Sequence, residues 1–213
     1  MLLDDDDCQL VLVDYQIRLM PSVFESDLVI ANATRLARMA RLMQLPVWGT
    51  EHLPDKLGAN VDAVRTTIEE AGGKTLAKVY FSAVAGGLGE WLRPPVRKIP
   101  QGDQSRGNVR SLPKHLQKPA PEPEEGRNTI VIAGCEAHVC LMQTALDLLE
   151  EEFEVWVVTD ACSSRTERNR DAAFDRLAGN GAELVTTEMV AFEWLRSAEH
   201  PAFKEVLDLV KQP

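Results

Sequence analysis

Residues 129–140 constrain the fold more than any other stretch, because an apolar β-branched run, Thr129-Ile130-Val131-Ile132-Ala133, passes through Gly134 and leads straight into an amphipathic helical pattern. A strand that feeds a helix across so few residues is half of a βαβ unit, and such units build parallel sheets with helices on their faces. The same alternation recurs along the chain. Periodicity predicts strands at 9–13, 46–50, 74–79, 129–133, 154–159 and 182–186. Helices are predicted at 26–44, 61–71, 140–151, 166–179, 187–196 and 201–211, and Leu28, Leu36, Met39 and Met43 mark the inner stripe of the first. Asn180-Gly181 has the form of a helix stop. The expected fold is α/β: a three-layer, doubly wound, mostly parallel six-stranded sheet with helices on both faces. At 213 residues and 45% apolar content, the chain has the material for one well-buried domain, residues 1–213.

Chemistry-bearing residues fall where such sheets place their ligands, at the carboxyl ends of strands. Cys140 stands at the strand-to-helix junction, where a helix N-terminus favours a thiolate. Asp14 ends the first strand, and Lys78 lies where the third is most apolar, a place lysine avoids without a partner or a wet cavity. Converging in one crevice, the three supply a base, a cation and a nucleophile. Taken singly, Cys140 is equally a buried small hydrophobe, Asp14 a turn cap and Lys78 a snorkelling side chain.

Further segments extend the pattern: Val13-Asp14-Tyr15-Gln16, Thr50-Glu51-His52, Lys78 with Phe81-Ser82, Gly134 through Cys140, Thr144-Ala145-Leu146-Asp147-Leu148-Leu149 and Asp160 through Arg165. In this order they resemble the isochorismatase-like cysteine hydrolases, with the best match to isochorismatase-domain-containing proteins that lack the nicotinamidase metal site. The resemblance implies a catalytic triad of Asp14, Lys78 and Cys140. It also implies a cis peptide at Cys135-Glu136 and an oxyanion site involving Cys135, Glu136 and Cys140. Gln16, Phe24, Phe81 and Glu136 are the expected substrate-binding positions. The substrate class is a small molecule whose amide or carbamoyl-type C–N bond is cleaved through a thioester.

Isochorismate-cleaving relatives lack the nucleophilic cysteine, so Cys140 argues against that reaction. Nicotinamidases carry an Asp-x-His motif after the second strand. Here the sequence is Thr50-Glu51-His52-Leu53-Pro54. No metal and no cofactor are therefore expected, and Cys135-x2-His138-x-Cys140 is packed too closely for a zinc cluster.

A formal charge of −10 disfavours nucleic acid as a partner. The run Asp4 to Asp7 reads as a solvated start. Four irregularly spaced cysteines, with no signal segment or long apolar span, point to a reducing cytoplasm and away from a membrane. The family resemblance implies a homo-oligomer, to which Trp91 and Trp194 contribute either contacts or core. Between Arg93 and Gly126 the periodic pattern stops and seven of the twelve prolines occur. This Pro-rich insertion at 94–126 is expected to be a lid, an oligomer arm or a passive loop. Two alternatives to a hydrolase remain: a catalytically silent family member acting in assembly or partner binding, and a thiol-redox protein using Cys135 and Cys140.

Overall fold

The computed structural model describes residues 2–93 and 126–211; the expected proline-rich excursion lies outside them except for Gly126. Two of its strands, β1 (Cys8–Val13) and β4 (Thr129–Gly134), are buried along their whole length. That is why they read as continuous apolar runs rather than as alternating patterns. Around them lie β2 (Val47–His52), β3 (Lys74–Lys78), β5 (Glu154–Val158) and β6 (Glu183–Val185). The sheet order is β3-β2-β1-β4-β5-β6, and every pairing is parallel. The strand order reverses between β1 and β4, and a crevice opens at the carboxyl ends of strands at such a switch point.

Eight helices carry the connections among the described residues: α1 (Ser26–Leu42), α2 (Pro54–Leu57), α3 (Asp62–Glu70), α4 (Gly89–Leu92), α5 (Met142–Glu150), α6 (Glu167–Gly179), α7 (Thr187–Leu195) and α8 (Phe203–Val210). The stripe of α1 differs from the expected one. Leu36 and Met39 are buried and Met43 partly buried as expected, but Leu28 is 49% exposed and Val29 is buried in its place, with Ala33 and Ala37 completing the stripe. Thr166 and Thr186 cap α6 and α7 by accepting the amide hydrogens of Asn169 and Met189, which satisfies first-turn donors. Asn180-Gly181 stops α6 as expected, with Gly181 at a φ of 97° that side chains resist.

Gly134 is required by packing. A Cβ there would meet Val13 Cβ and Val13 O at 2.5 Å, so only glycine lets β4 lie this close to the end of β1. The acidic start is also less detached than expected: the Asp7 carboxylate accepts from the Asn128 amide at 2.8 Å and the Thr129 hydroxyl at 2.7 Å, which fixes where β4 begins. Trp194 is core, 1% exposed, while Trp91 is partly buried and packs against Trp48 with ring centroids 5.7 Å apart.

At the floor of the sheet the buried Gln9 amide donates to both Leu92 O and Arg127 O at 3.0 Å. Its carbonyl accepts from Trp48 Nε1 at 2.9 Å. Arg93 covers the Phe153 ring at 3.6 Å and donates to Glu151 O and to Asn128 Oδ1. The two flanks of the 94–125 stretch are thus held together at the end of the sheet opposite the crevice.

Candidate active site

Asp14 follows directly on β1 with a φ of 55°, in the left-handed region where aspartate is among the better tolerated side chains. That turn buries its carboxylate completely. Thr50 Oγ1 donates to Asp14 Oδ1 at 2.7 Å, and Lys78 Nζ donates to Asp14 Oδ2 at 2.6 Å. Neither charged side chain is exposed. Lys78 pairs in register with His52, so its side chain crosses the end of β2 to reach Asp14. The ammonium also donates to the carbonyls of Phe81 at 3.0 Å and Tyr80 at 3.3 Å, so a buried charge is fully hydrogen-bonded rather than bare.

Cys140 sits in a single π-helical turn, Ala137–Leu141, that precedes α5. Turns of this kind displace side chains from the regular helical path and recur at functional sites. Its thiol lies within interaction range of both the Asp14 carboxylate and the Lys78 ammonium. The structure therefore brings the three predicted residues together. The thiol, however, is not poised as a thiolate. Burial, foremost, and the Asp14 carboxylate next push it well above the usual thiol range, with Lys78 opposing them. The expected pull of the helix N-terminus is outweighed because this cysteine is only 6% exposed and faces an anion.

The Cys135–Glu136 peptide is cis. Cys135 is fully buried, donates its amide to Val13 O at 2.9 Å, and has its thiol pushed up to about 12 by burial. The Glu136 carboxylate, 10% exposed, accepts from Arg165 Nε at 2.7 Å, while the arginine side chain itself is 60% exposed. Phe81 is half exposed, with its ring 5.2 Å from that of His52. Phe24 lies beside the 163–165 segment, its amide donating to Ser164 O and its ring 5.6 Å from the Arg170 guanidinium.

Gln16 has a different place from the one expected. Its side chain is inaccessible: Nε2 donates to Gly58 O at 2.6 Å and His52 O at 3.0 Å, and Oε1 accepts from the His52 amide at 2.9 Å. It ties the loop after β1 to the end of β2, with both ends of its amide engaged by backbone groups. Thr50, quoted from the sequence only as part of a motif, holds the Asp14 carboxylate. Its signal was its register, since it stands opposite Val13, one residue before Asp14.

Among the described residues, a metal of the nicotinamidase kind finds no donor set. Glu51 accepts from the Asn60 amide at 2.7 Å. Both ring nitrogens of His138 are engaged away from the thiol, by Ser164 Oγ at 2.9 Å and Asn169 Nδ2 at 3.4 Å. Among the described residues, no group of three His, Cys, Asp or Glu side chains is placed to hold a metal ion. No helix among them is long and apolar enough to cross a membrane.

Comparison with known proteins identifies the family and the fold. A model of the isochorismatase domain matches residues 116–189. Isochorismatase domain-containing protein 2 of Rattus norvegicus is 31% identical over 204 residues, covering 96% of this chain and 81% of that protein. The Homo sapiens protein of the same name is 32% identical over 96% of this chain and 83% of its own. The solved structure of MAR1 ribonuclease from Caenorhabditis elegans has a TM-score of 0.81 at 26% identity, covering 100% of this chain and 93% of that one. YcaC from Escherichia coli, described as an octameric hydrolase of unknown specificity, shares the fold with a TM-score of 0.71 at 23% identity, over 98% and 95% of the two chains. The chain belongs to the isochorismatase-domain family.

Proposed function

We propose that this protein is a metal-independent cysteine hydrolase that cleaves the C–N bond of a small amide or carbamoyl-type compound. The observation that carries the reading is the buried Asp14–Lys78 pair with the Cys140 thiol beside both of its charges. Cys140 Sγ attacks the carbonyl carbon as its proton passes to Asp14, so the thiolate exists only as the C–S bond forms. The Glu136 and Cys140 amides are the donors for the resulting oxyanion. Asp14 then gives the proton to the departing nitrogen, the C–N bond breaks, and the acyl group stays on Cys140 as a thioester. Water attacks the thioester, Asp14 takes its proton, the C–S bond breaks, and the thiol is restored. Lys78 opposes the carboxylate's charge and holds it in place throughout. Base, cation and nucleophile all come from the chain, so the cycle uses no cofactor.

Phe81, Phe24 and the Glu136–Arg165 pair are the side chains we assign to the substrate pocket. Self-assembly belongs to the same reading. The fold is shared with a YcaC described as octameric, and Val79, Tyr80 and Phe81 present an exposed apolar run beside the site. A chain of net charge −10 is a poor match for nucleic acid, and a reducing cytoplasm suits its four free thiols.

The test is a screen of small amides, carbamoyl compounds and nitrogen heterocycles, with intact-mass detection of an acyl adduct. Turnover with an adduct on Cys140, both abolished in Cys140→Ala, is the expected result. Turnover that survives in Cys140→Ala overturns the mechanism.

A further inference from the structure

Lys78 owes its position to more than Asp14. Two of its three hydrogen bonds go to the Tyr80 and Phe81 carbonyls, on a loop whose side chains are 58% and 50% exposed, with Val79 before them at 66%. Residues 79–81 bury little apolar surface beyond the contact between the Phe81 and His52 rings, so packing alone holds them weakly. Two polar ties anchor the residues that follow them, and both end on α5. Ser82 Oγ donates to Asp147 Oδ2 at 2.5 Å, and the Ala83 amide donates to Thr144 Oγ1 at 2.9 Å.

Thr144 is fully buried, and its hydroxyl hydrogen goes to the Cys140 carbonyl at 2.7 Å. One oxygen thus joins the backbone of the nucleophile to the loop that supports the ammonium. Thr144 and Asp147 stand three residues apart, on one face of α5.

We infer that Thr144 and Asp147, with Ser82, form a latch of positioning residues that sets where Lys78 stands relative to Cys140. The inference rests on the reading of Cys140 as nucleophile and Lys78 as its cation. It gives the Thr144-Ala145-Leu146-Asp147 motif a task that helix packing does not require, since Leu and Ala alone would bury the inner face. It also means that whatever covers Val79–Phe81 acts on the ammonium through carbonyls 80 and 81.

The test measures alkylation of Cys140, located by peptide mapping, with neutral iodoacetamide and anionic iodoacetate. Wild type, Ser82→Ala, Thr144→Val, Thr144→Ser and Lys78→Met are compared, with melting temperatures recorded for each. A cation near the sulfur favours the anionic reagent, and changes in access alone affect both reagents alike. We expect Ser82→Ala and Thr144→Val to slow iodoacetamide about tenfold at pH 8, equivalent to about one pH unit on the thiol. Their iodoacetate-to-iodoacetamide ratio should fall about threefold toward that of Lys78→Met, as a displaced charge implies. Thr144→Ser, which keeps both hydrogen bonds, should behave as wild type. If Ser82→Ala keeps the wild-type ratio while Lys78→Met lowers it, the latch is wrong and the Lys78 assignment stands. If Lys78→Met leaves the ratio unchanged, the underlying reading fails and the latch with it. Should Thr144→Val not fold, Ser82→Ala decides alone, because it removes a single hydroxyl.

Discussion

Lys78 Nζ and Asp14 Oδ2 are 2.6 Å apart although β2 lies between the strands that carry them, and neither side chain is accessible to solvent. A buried pair of this kind is costly to break from one side, because the remaining charge stays desolvated.

Asp14→Asn should therefore lose about 3–5 kcal/mol of stability as well as turnover, and Lys78→Met should lose a similar amount. The double variant Asp14→Asn/Lys78→Met should be markedly more stable than the sum of the single losses implies. Urea unfolding of the four proteins measures this. Additive losses would show that the pair is not coupled.

The buried thiols contribute to stability at alkaline pH. Cys8 is pushed from the ordinary value of 9.0 to about 11, and Cys135 to about 12, in both cases mainly by burial. A folded-state value above the unfolded one means the native state holds the proton more tightly. Stability from these groups is fully present below pH 9 and is lost as pH rises through about 11 and then 12. Unfolding free energy measured from pH 7 upward should stay level and then fall across that window. Cys8→Ala should fall less steeply between pH 9 and 11 than the parent. Parallel curves would remove Cys8 from the account.

Gln16 tests the difference between a substrate contact and a scaffold. Gln16→Ala leaves the buried His52 amide and two carbonyls without their partner, and should cost about 1–3 kcal/mol per group left unsatisfied. A large rise in KM at unchanged stability would instead put Gln16 in the pocket.

The clasp at the floor of the sheet makes residues 94–125 removable. A Cβ on Gly126 would lie 4.0 Å from Arg93 Cγ, so the flanks already meet. Joining them with a short glycine linker should change stability by no more than about 1–2 kcal/mol, since closure entropy varies slowly with loop length. Turnover, once a substrate is known, should persist. Unfolding on deletion would show that the segment is part of the core.

Periodicity made the six strands and most helices legible, because β1 and β4 are buried on both faces and α1 and α5 on one. The strand ends carrying Asp14 and Lys78, and the β4-to-α5 junction carrying Cys140, were legible for the same reason. What could not be read depended on neighbours in space. Thr50 matters only through its register with β1, and Thr144 only because the Ala83 amide approaches it. Leu28 and Val29 are both apolar neighbours, and which one faces inward depends on the phase of α1 against the sheet, where Val29 shares the buried face with Ala33 and Leu36. The state of the Cys140 thiol escaped sequence reasoning because burial and Asp14 oppose the helix terminus, and their balance is geometric.

On the proposed mechanism, keeping Cys140 protonated until a carbonyl arrives has a consequence outside the reaction. Peroxides, disulfides and stray electrophiles react with thiolates far faster than with thiols, and all four cysteines here are buried. On the proposed mechanism Cys140 is chemically quiet between encounters, and selectivity comes from timing. A compound would be attacked only on bringing its reactive carbon up against sulfur while Asp14 is in place to take the proton.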